Sequence, residues 1–200
     1  RLDAMVEFNS PAAESIREAA RKMVAAYIDN SRIVHNFVDA TQVPDVNADP
    51  SNIMRFTSSI HEGYSDLNSL EKEFASALDK TKRVWFRNAS RGLFEIPLLT
   101  RGRTKTFNPD FIVWVDRGIV AIDTKGEHLI VEDSSRKLFD IEKIGTGPDL
   151  TIRLVTPGEW NTHIEPTDNK DGFTVWSLRN GRPHPTYAPT ITKAVALCLS

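Results

Sequence analysis

Two aspartates and a lysine flank the apolar runs of the segment NPDFIVWVDRGIVAIDTKG, which extends from Asn108 to Gly126. Asp110 begins the first run, and Asp123 and Lys125 end the second. Carboxylates held close together repel, and each gains a proton unless a positive charge lies between them. Mg²⁺ supplies such a charge, because it prefers oxygen ligands and keeps several waters for a substrate. The residue types therefore predict metal-assisted hydrolysis, in which the metal lowers the pKa of a bound water and offsets the charge of a phosphate.

A β-hairpin is the element that brings these side chains together. The two apolar runs are joined by the turn residues DRG, which predicts two antiparallel strands. In a hairpin the start of the first strand lies beside the end of the second, so we expect Asp110 level with Asp123 and Lys125. Side chains alternate along a strand, so Asp123 and Lys125 share one face while Thr124 points to the other. From that position Lys125 can orient an attacking water or help to deprotonate it.

The rest of the chain predicts a mixed α/β fold with a central sheet and helices on its faces. Apolar periodicity predicts helices over residues 11–28 and 66–80. Asp133 as a cap and Gly145 as a stop predict a third helix over residues 133–144. Strands are predicted over residues 84–86, 93–99, 110–115, 119–124, 150–155 and 173–178. Proline, aspartate and asparagine between residues 41 and 51 indicate a loop or linker after the first helix. We therefore expect an N-terminal helical appendage over residues 1–58, ahead of one domain over residues 59–200.

Composition excludes several classes of protein. The chain has 40% hydrophobic and 26% charged residues, which is typical of a soluble protein that forms a core. The single cysteine, Cys198, excludes an internal disulfide and a multi-cysteine metal site. No apolar run approaches the roughly 18 residues of a membrane span, so we expect no membrane contact. The chain begins with Arg1, and we expect it to be part of a longer protein.

The ends of the predicted hairpin resemble the PD-(D/E)XK nuclease superfamily, through the pieces Pro109–Asp110 and Asp123–Thr124–Lys125. A closer resemblance, over roughly Ser59 to Leu138, is to the nuclease domain that ends the restriction subunits of type III and related helicase–nuclease systems. The stretches that carry it are SIHEGYSDLNSLEKEFASALD, VWFRNASRGLFEIPLL, FNPDFIVW and AIDTKGEHL. Asp123 stands where many relatives have glutamate, which the superfamily pattern allows.

The resemblance implies a restriction-endonuclease-like core within residues 59–200 and a hydrolase that needs Mg²⁺, for which Mn²⁺ is the expected substitute. Asp110 and Asp123 then hold the metal, with the Thr124 carbonyl as a third oxygen. Lys125 then positions the attacking water.

A glutamate from the helix before the sheet usually completes the site in this superfamily, and Glu71 and Glu73 are the two candidates here. At about 100° per residue, Glu71 lies about 60° from the centre of the apolar face of its helix and Glu73 about 100° from it. Glu71 can therefore lean over the sheet, and we expect it to join the catalytic and metal-binding set directly or through a water. The alternative for Glu71 is an exposed helix glutamate.

A basic window surrounds the predicted sheet. Residues 80–105 contain eight Lys and Arg and one Glu, so this window carries +7 and the rest of the chain −9, for a formal net charge of −2. The candidates for contact with phosphates are Arg87, Arg91, Arg101, Arg103, Lys105 and His128. Phosphate contacts supply affinity for nucleic acid that does not depend on sequence. A solvated surface is the other interpretation of such a charge run, and a surface histidine is the alternative for His128.

We therefore expect a cytoplasmic, metal-dependent endonuclease of a restriction or defence system that hydrolyses phosphodiester bonds in double-stranded DNA. In the family that it resembles, the nuclease domain follows an ATPase motor, so the resemblance implies an upstream ATPase or helicase region. This chain itself has no GKT or GKS phosphate loop. It also implies a modification or specificity subunit as a partner. One alternative is a catalytically inactive DNA-binding module of the same fold that serves the upstream motor. Another is a nuclease directed to RNA, which nothing in the sequence separates from one directed to DNA.

Overall fold

The computed structural model of the chain describes residues 10–31, 33–35, 43, 45–88, 94–99, 104–124, 130, 139, 141–143, 148–180 and 182–200. The helices are α1 (Pro11–Asn30), α2 (Ser69–Asp79) and α3 (Ile191–Cys198), and residues 130 and 139 also have helical conformation. The strands are β1 (Ile33–His35), β2 (Met54–Arg55), β3 (Gly63–Tyr64), β4 (Trp85–Arg87), β5 (Ile96–Leu99), β6 (Thr104–Phe107), β7 (Phe111–Val115), β8 (Gly118–Thr124), β9 (Ile141–Lys143), β10 (Asp149–Pro157), β11 (Phe173–Arg179) and β12 (Arg182–Ala188).

A six-stranded mixed sheet forms the centre of the fold, in the order β12-β11-β10-β8-β7-β4. Strands β7 and β8 form an antiparallel hairpin in which Phe111 pairs with Ile122 and Val115 pairs with Gly118. Strand β8 pairs in parallel with β10, and the other neighbours in this sheet are antiparallel. The prediction of an α/β fold with a central mixed sheet is confirmed, and the hairpin that carries the acids occupies two of its inner strands.

Apolar side chains alternate between the two faces of this sheet. On one face Phe111, Val120 and Ile122 pack with Phe74 of α2 and Val195 of α3. On the other face a second cluster of buried apolar side chains includes Phe86, Ile112, Ala121, Ile130, Ile152, Leu154 and Trp176. The two faces therefore carry separate hydrophobic cores, and the hairpin contributes to both.

Polar contacts at both ends fix helix α2 over the strands. At its start, the Asn68 side chain accepts from the Glu71 N–H at 3.1 Å and the Glu71 carboxylate accepts from the Asn68 N–H at 2.8 Å, which is a capping box. At its last residue, Asp79, the carboxylate accepts from the Ser58 N–H at 2.7 Å and from the Trp85 indole N–H at 3.2 Å. Trp85 is fully buried in β4, so the end of α2 is tied to the sheet.

Short segments of the N-terminal 58 residues contact the rest of the fold. Strand β1 pairs in parallel with β9, and β2 pairs with β3. Val46, Met54 and Phe56 pack against the core beneath α2. Part of the segment before Ser59 therefore covers the same hydrophobic core as the central sheet.

Helix α1 begins where the sequence predicts, with Ser10 as its cap. The Ser10 hydroxyl accepts from the Ala13 N–H at 3.1 Å. Of its apolar stripe, Ile16, Met23 and Tyr27 are exposed. Neither α1 nor any other helix among the described residues has the length and apolar character needed to cross a membrane.

Seven of the described elements differ from the sequence prediction, namely β1, β2, β3, β6, β9, β12 and α3, and three of them have a clear physical reason. The helix predicted over residues 133–144 does not reach its predicted end, because Ile141–Lys143 form β9 and pair with β1. Strand β12 lies outside the predicted strands, since Pro183 and Pro185 argue against a strand; it is an edge strand, where the missing N–H groups are tolerated. Helix α3 also lies outside the prediction, because eight residues are too few to show a clear helical period.

Gly118 begins β8 where this strand meets β10. A Cβ atom on Gly118 would lie 2.6 Å from Asp149 N and closer still to the Asp149 carbonyl oxygen. We expect Gly118→Ala to force the two strands apart and to lower the free energy of unfolding by about 1–3 kcal/mol. Arg117→Ala, at the exposed neighbouring residue, is the control and should change this free energy by less than about 0.5 kcal/mol. Urea unfolding followed by tryptophan fluorescence measures both; wild-type stability in Gly118→Ala would contradict the close approach.

Candidate metal site

The hairpin places Asp110 and Asp123 side by side. Because β7 and β8 pair Phe111 with Ile122, Asp110 and Asp123 occupy the next pair of positions outward. Thr124 donates its backbone N–H at 2.7 Å and its hydroxyl at 2.6 Å to Asp110 Oδ2. These two hydrogen bonds hold the Asp110 carboxylate across the end of the hairpin, in agreement with the expected register.

Glu71 of α2 brings a third carboxylate to this end of the sheet. Its side chain faces the core, since only 6% of the residue is exposed, whereas Glu73 is exposed. The Oε2 atom of Glu71 accepts from the Asn68 N–H at 2.8 Å, and its Oε1 atom lies 3.8 Å from Arg87 Nη2. The Glu71 carboxylate therefore caps its helix and pairs with a cation, in addition to lying near the aspartates.

The negative charge of Asp110 raises the pKa of both Asp123 and Glu71. The pKa of Asp123 is raised from its ordinary value of 3.8 to about 8, first by burial and then by the negative charges of Asp110 and Glu71. Burial also raises the pKa of Glu71, and the charge of Asp110 adds to that rise, while the Asn68 N–H and Arg87 oppose it. Burial and these two charges therefore disfavour the ionised form of Asp123.

The carboxylates of Asp110, Asp123 and Glu71 are near one another but are not arranged as a metal-coordination shell. Within the part of the chain that the structure describes, no group of three His, Cys, Asp or Glu residues is arranged so that it could hold a metal ion. In this arrangement Asn68 holds one oxygen of Glu71 and Thr124 holds one oxygen of Asp110. The donors are nevertheless all oxygens, which suits a hard cation such as Mg²⁺. A bound cation would require these carboxylates to turn toward one another.

The described arginines of the basic window are paired with acids. Arg87 Nη1 lies 2.8 Å from Asp66 Oδ2, and only 12% of the Arg87 side chain is exposed. Arg83 forms an ion pair with Asp116 at the opposite end of the hairpin. In this structure Arg87 is therefore the counter-charge of Asp66 and Glu71, and a phosphate would have to displace Asp66 to reach it.

The other residues predicted for the site lie outside the described residues. They are Lys125, Arg91, Arg101, Arg103 and His128. The backbone of Lys105 lies in β6, but its side chain is outside the description as well. The roles of all six remain predictions from the sequence.

Two buried polar residues near the acids carry no clear signal in the sequence. The Tyr64 hydroxyl contacts His61 Nδ1 at 3.0 Å and accepts from the Arg87 N–H at 2.9 Å. Asn88 follows β4 and donates from its side chain to the Pro109 carbonyl at 2.9 Å. Both residues lie within stretches that carry the family resemblance, but the sequence assigns neither of them a role, so only their buried contacts reveal one.

Comparison of the chain with protein-family models, with curated proteins and with solved structures finds no match. The candidate site therefore rests on the residues and contacts described above. The resemblance to the nuclease superfamily rests on the motifs at the ends of the hairpin.

The raised pKa of Asp123 predicts a pH-dependent stability. Between pH 4 and about 8 the folded chain without metal holds a proton on Asp123 that the unfolded chain has lost. The free energy of unfolding should therefore fall as the pH rises through this window, by at most about 1.4 kcal/mol per pH unit for one proton. Asp123→Asn imitates the protonated acid, so we expect a flatter pH dependence and a higher stability than wild type at pH 8. Urea unfolding in EDTA at several pH values measures this.

Asp116→Asn is the matched control for this experiment. Asp116 lies at the other end of the hairpin, and the hydrogen bond from Arg83 holds its pKa below the ordinary value. Its contribution to stability is therefore lost only in more acidic solution, and the slope between pH 5 and 8 should equal that of wild type. A wild-type slope in Asp123→Asn would show that Asp123 is ionised in the folded chain.

Proposed function

We propose that the chain is a metal-dependent endonuclease that hydrolyses phosphodiester bonds of DNA. The observation that supports this most is the position of Asp110 and Asp123 at adjoining ends of one hairpin, with the charge of Glu71 acting on Asp123. Burial of charged groups without compensation is unfavourable, and strongly perturbed pKa values occur preferentially at functional sites. A divalent cation would relieve the repulsion, whereas a hairpin with a purely structural role has no need of two acids here.

The order of the elements supports a restriction-endonuclease-like core. Helix α2 precedes the antiparallel strands β4, β7 and β8, helical residues follow, and β10 then runs parallel to β8. Strands β5 and β6 form a separate two-stranded insertion between β4 and β7. Asp123 stands near the carboxyl ends of the parallel strands, because it pairs with Leu154 of β10. Ligands of open α/β sheets bind outside the carboxyl ends of their strands.

Each residue of the site has its own role in this proposal. The carboxylates of Asp110 and Asp123, with Glu71 and the Thr124 carbonyl, would hold Mg²⁺, for which Mn²⁺ can substitute. Such a cation lowers the pKa of a bound water and offsets the charge of the phosphate. Lys125 follows Asp123 by two residues, so continued strand alternation would bring its ammonium to the same face. There it would orient the attacking water.

Double-stranded DNA is the proposed substrate, bound through contacts of the basic window with phosphates. The proposed contacts are Arg91, Arg101, Arg103, Lys105 and His128. Arg87 joins them only by exchanging Asp66 for a phosphate. The resemblance to restriction systems also underlies three further proposals, namely a cytoplasmic location, an upstream ATPase or helicase region and a modification or specificity subunit as a partner.

Glu71→Gln tests this proposal while leaving the helix cap in place. Glutamine also serves at the third helical position of a capping box, so the variant loses the charge of Glu71 and retains the structure at the start of α2. With supercoiled plasmid as the probe, we expect cleavage by wild type in Mg²⁺ and none in EDTA. Glu71→Gln should cleave more slowly by a factor on the order of 10² in single-turnover assays. Glu73→Gln, at an exposed position on the same helix, is the matched control and should cleave at the wild-type rate.

A binding isotherm on uncut DNA in EDTA separates the other outcomes. Retention of DNA by wild type without cleavage in Mg²⁺ would favour the inactive binding module. Cleavage of RNA but not of plasmid would show that the chain is a nuclease directed to RNA. Equal cleavage rates for Glu71→Gln and wild type would remove Glu71 from the site.

A further inference from the structure

Asn88 is buried immediately after β4 and hydrogen-bonds through both ends of its side-chain amide. Its Nδ2 atom donates to the Phe94 and Pro109 carbonyls, both at 2.9 Å, and its Oδ1 atom accepts from the Phe94 N–H at 3.1 Å. Only 3% of the residue is exposed. An amide has two N–H donors, and both are used here. Asn88 therefore ties the end of β4 to two other segments of the chain.

The same residue holds both peptide planes next to Asp110. The Pro109 carbonyl belongs to the peptide before the Asp110 Cα atom, and it accepts from the Asn88 side chain. The Asp110 carbonyl belongs to the peptide after that atom, and it accepts from the Asn88 backbone N–H at 2.8 Å. The proline ring restricts the backbone further. Asn88 thus sets the direction in which the Asp110 side chain leaves the backbone.

We infer that Asn88 is a positioning residue for Asp110 and, through it, for the metal site; this second step rests on the proposed function. Asn88 acts only through Asp110, whose carboxylate has to reach across the hairpin to Thr124. A leucine at position 88 would leave the Phe94 N–H and the Pro109 carbonyl without these partners, which is unfavourable in a buried place. An aspartate would set an oxygen against two carbonyl oxygens. The side-chain amide is thus the group that fits all three contacts.

Two variants and one control test this inference. Asn88→Ala removes all three side-chain hydrogen bonds, and Asn88→Ser replaces the amide with a smaller hydroxyl. Thr174→Ala is the matched control, because Thr174 is fully buried on β11. Its hydroxyl donates to the Gly158 carbonyl at 2.8 Å and accepts from the Trp160 N–H at 3.0 Å. The control therefore loses comparable buried hydrogen bonds on a strand that does not carry the acids.

The Thr124 amide proton is the first readout, because this N–H donates to Asp110 Oδ2 at 2.7 Å. In NMR spectra of the metal-free protein we expect this proton to shift upfield in the Asn88 variants and to stay in place in Thr174→Ala. The second readout is calorimetric titration with Mn²⁺ alone. Loss of a group that orients a metal ligand typically weakens metal affinity by about 10- to 100-fold, and we expect this change in the Asn88 variants only.

Each contrary result has a distinct meaning. An unmoved Thr124 proton in a folded Asn88 variant would overturn the positioning of Asp110. Wild-type Mn²⁺ affinity in such a variant would overturn its link to the metal site. Failure of both Asn88 variants to fold, with Thr174→Ala folded, would overturn the inference, because Asn88 would then support the whole fold. If wild type binds no Mn²⁺, the proposed function fails, while the Thr124 proton still decides whether Asn88 positions Asp110.

Discussion

Repulsion between Asp110 and Asp123, which the hairpin register holds side by side, is the constraint on which this end of the fold depends. The register itself is fixed by burial. Ile112 and Ile122 belong to the cores on opposite faces of the sheet, and a slip of one residue would move every side chain of a strand to the wrong face. The acids therefore cannot separate without loss of packing in both cores. Burial, together with the nearby charge of Asp110, raises the pKa of Asp123.

Neighbouring polar groups offset part of the negative charge. Thr124 donates two hydrogen bonds to Asp110, and the Asn68 N–H and the Arg87 guanidinium favour the ionised form of Glu71. Each of these contacts also holds a carboxylate in place before any ligand arrives. The pKa of Asp123 is raised to about 8 all the same, and under the proposed function a bound cation would stabilise its ionised form.

Local patterns made the hairpin and α2 predictable. The apolar runs on either side of DRG define the pairing, so the neighbouring acids follow from the sequence, and the apolar spacing of α2 turns Glu71 toward the core. Strand β9 could not be predicted, because it forms against β1 from a distant part of the chain. The role of Asn88 could not be predicted either, because it depends on the Phe94 and Pro109 carbonyls, which lie beside its side chain only in the folded chain. The charge count of the basic window overestimated the positive charge that is free to contact phosphates, because composition does not reveal that Arg83 and Arg87 form ion pairs with acids.

The position of a divalent cation in the folded chain would show whether the two aspartates form a metal site. Crystals soaked in Mn²⁺, with diffraction recorded where manganese scatters anomalously, report the position of the ion without reliance on activity. We expect an anomalous peak between the carboxylates of Asp110 and Asp123, with Glu71 in contact directly or through a water. If crystals bind Mn²⁺ elsewhere, with no peak between these two carboxylates and both in their metal-free positions, then Asp110 and Asp123 are not metal ligands.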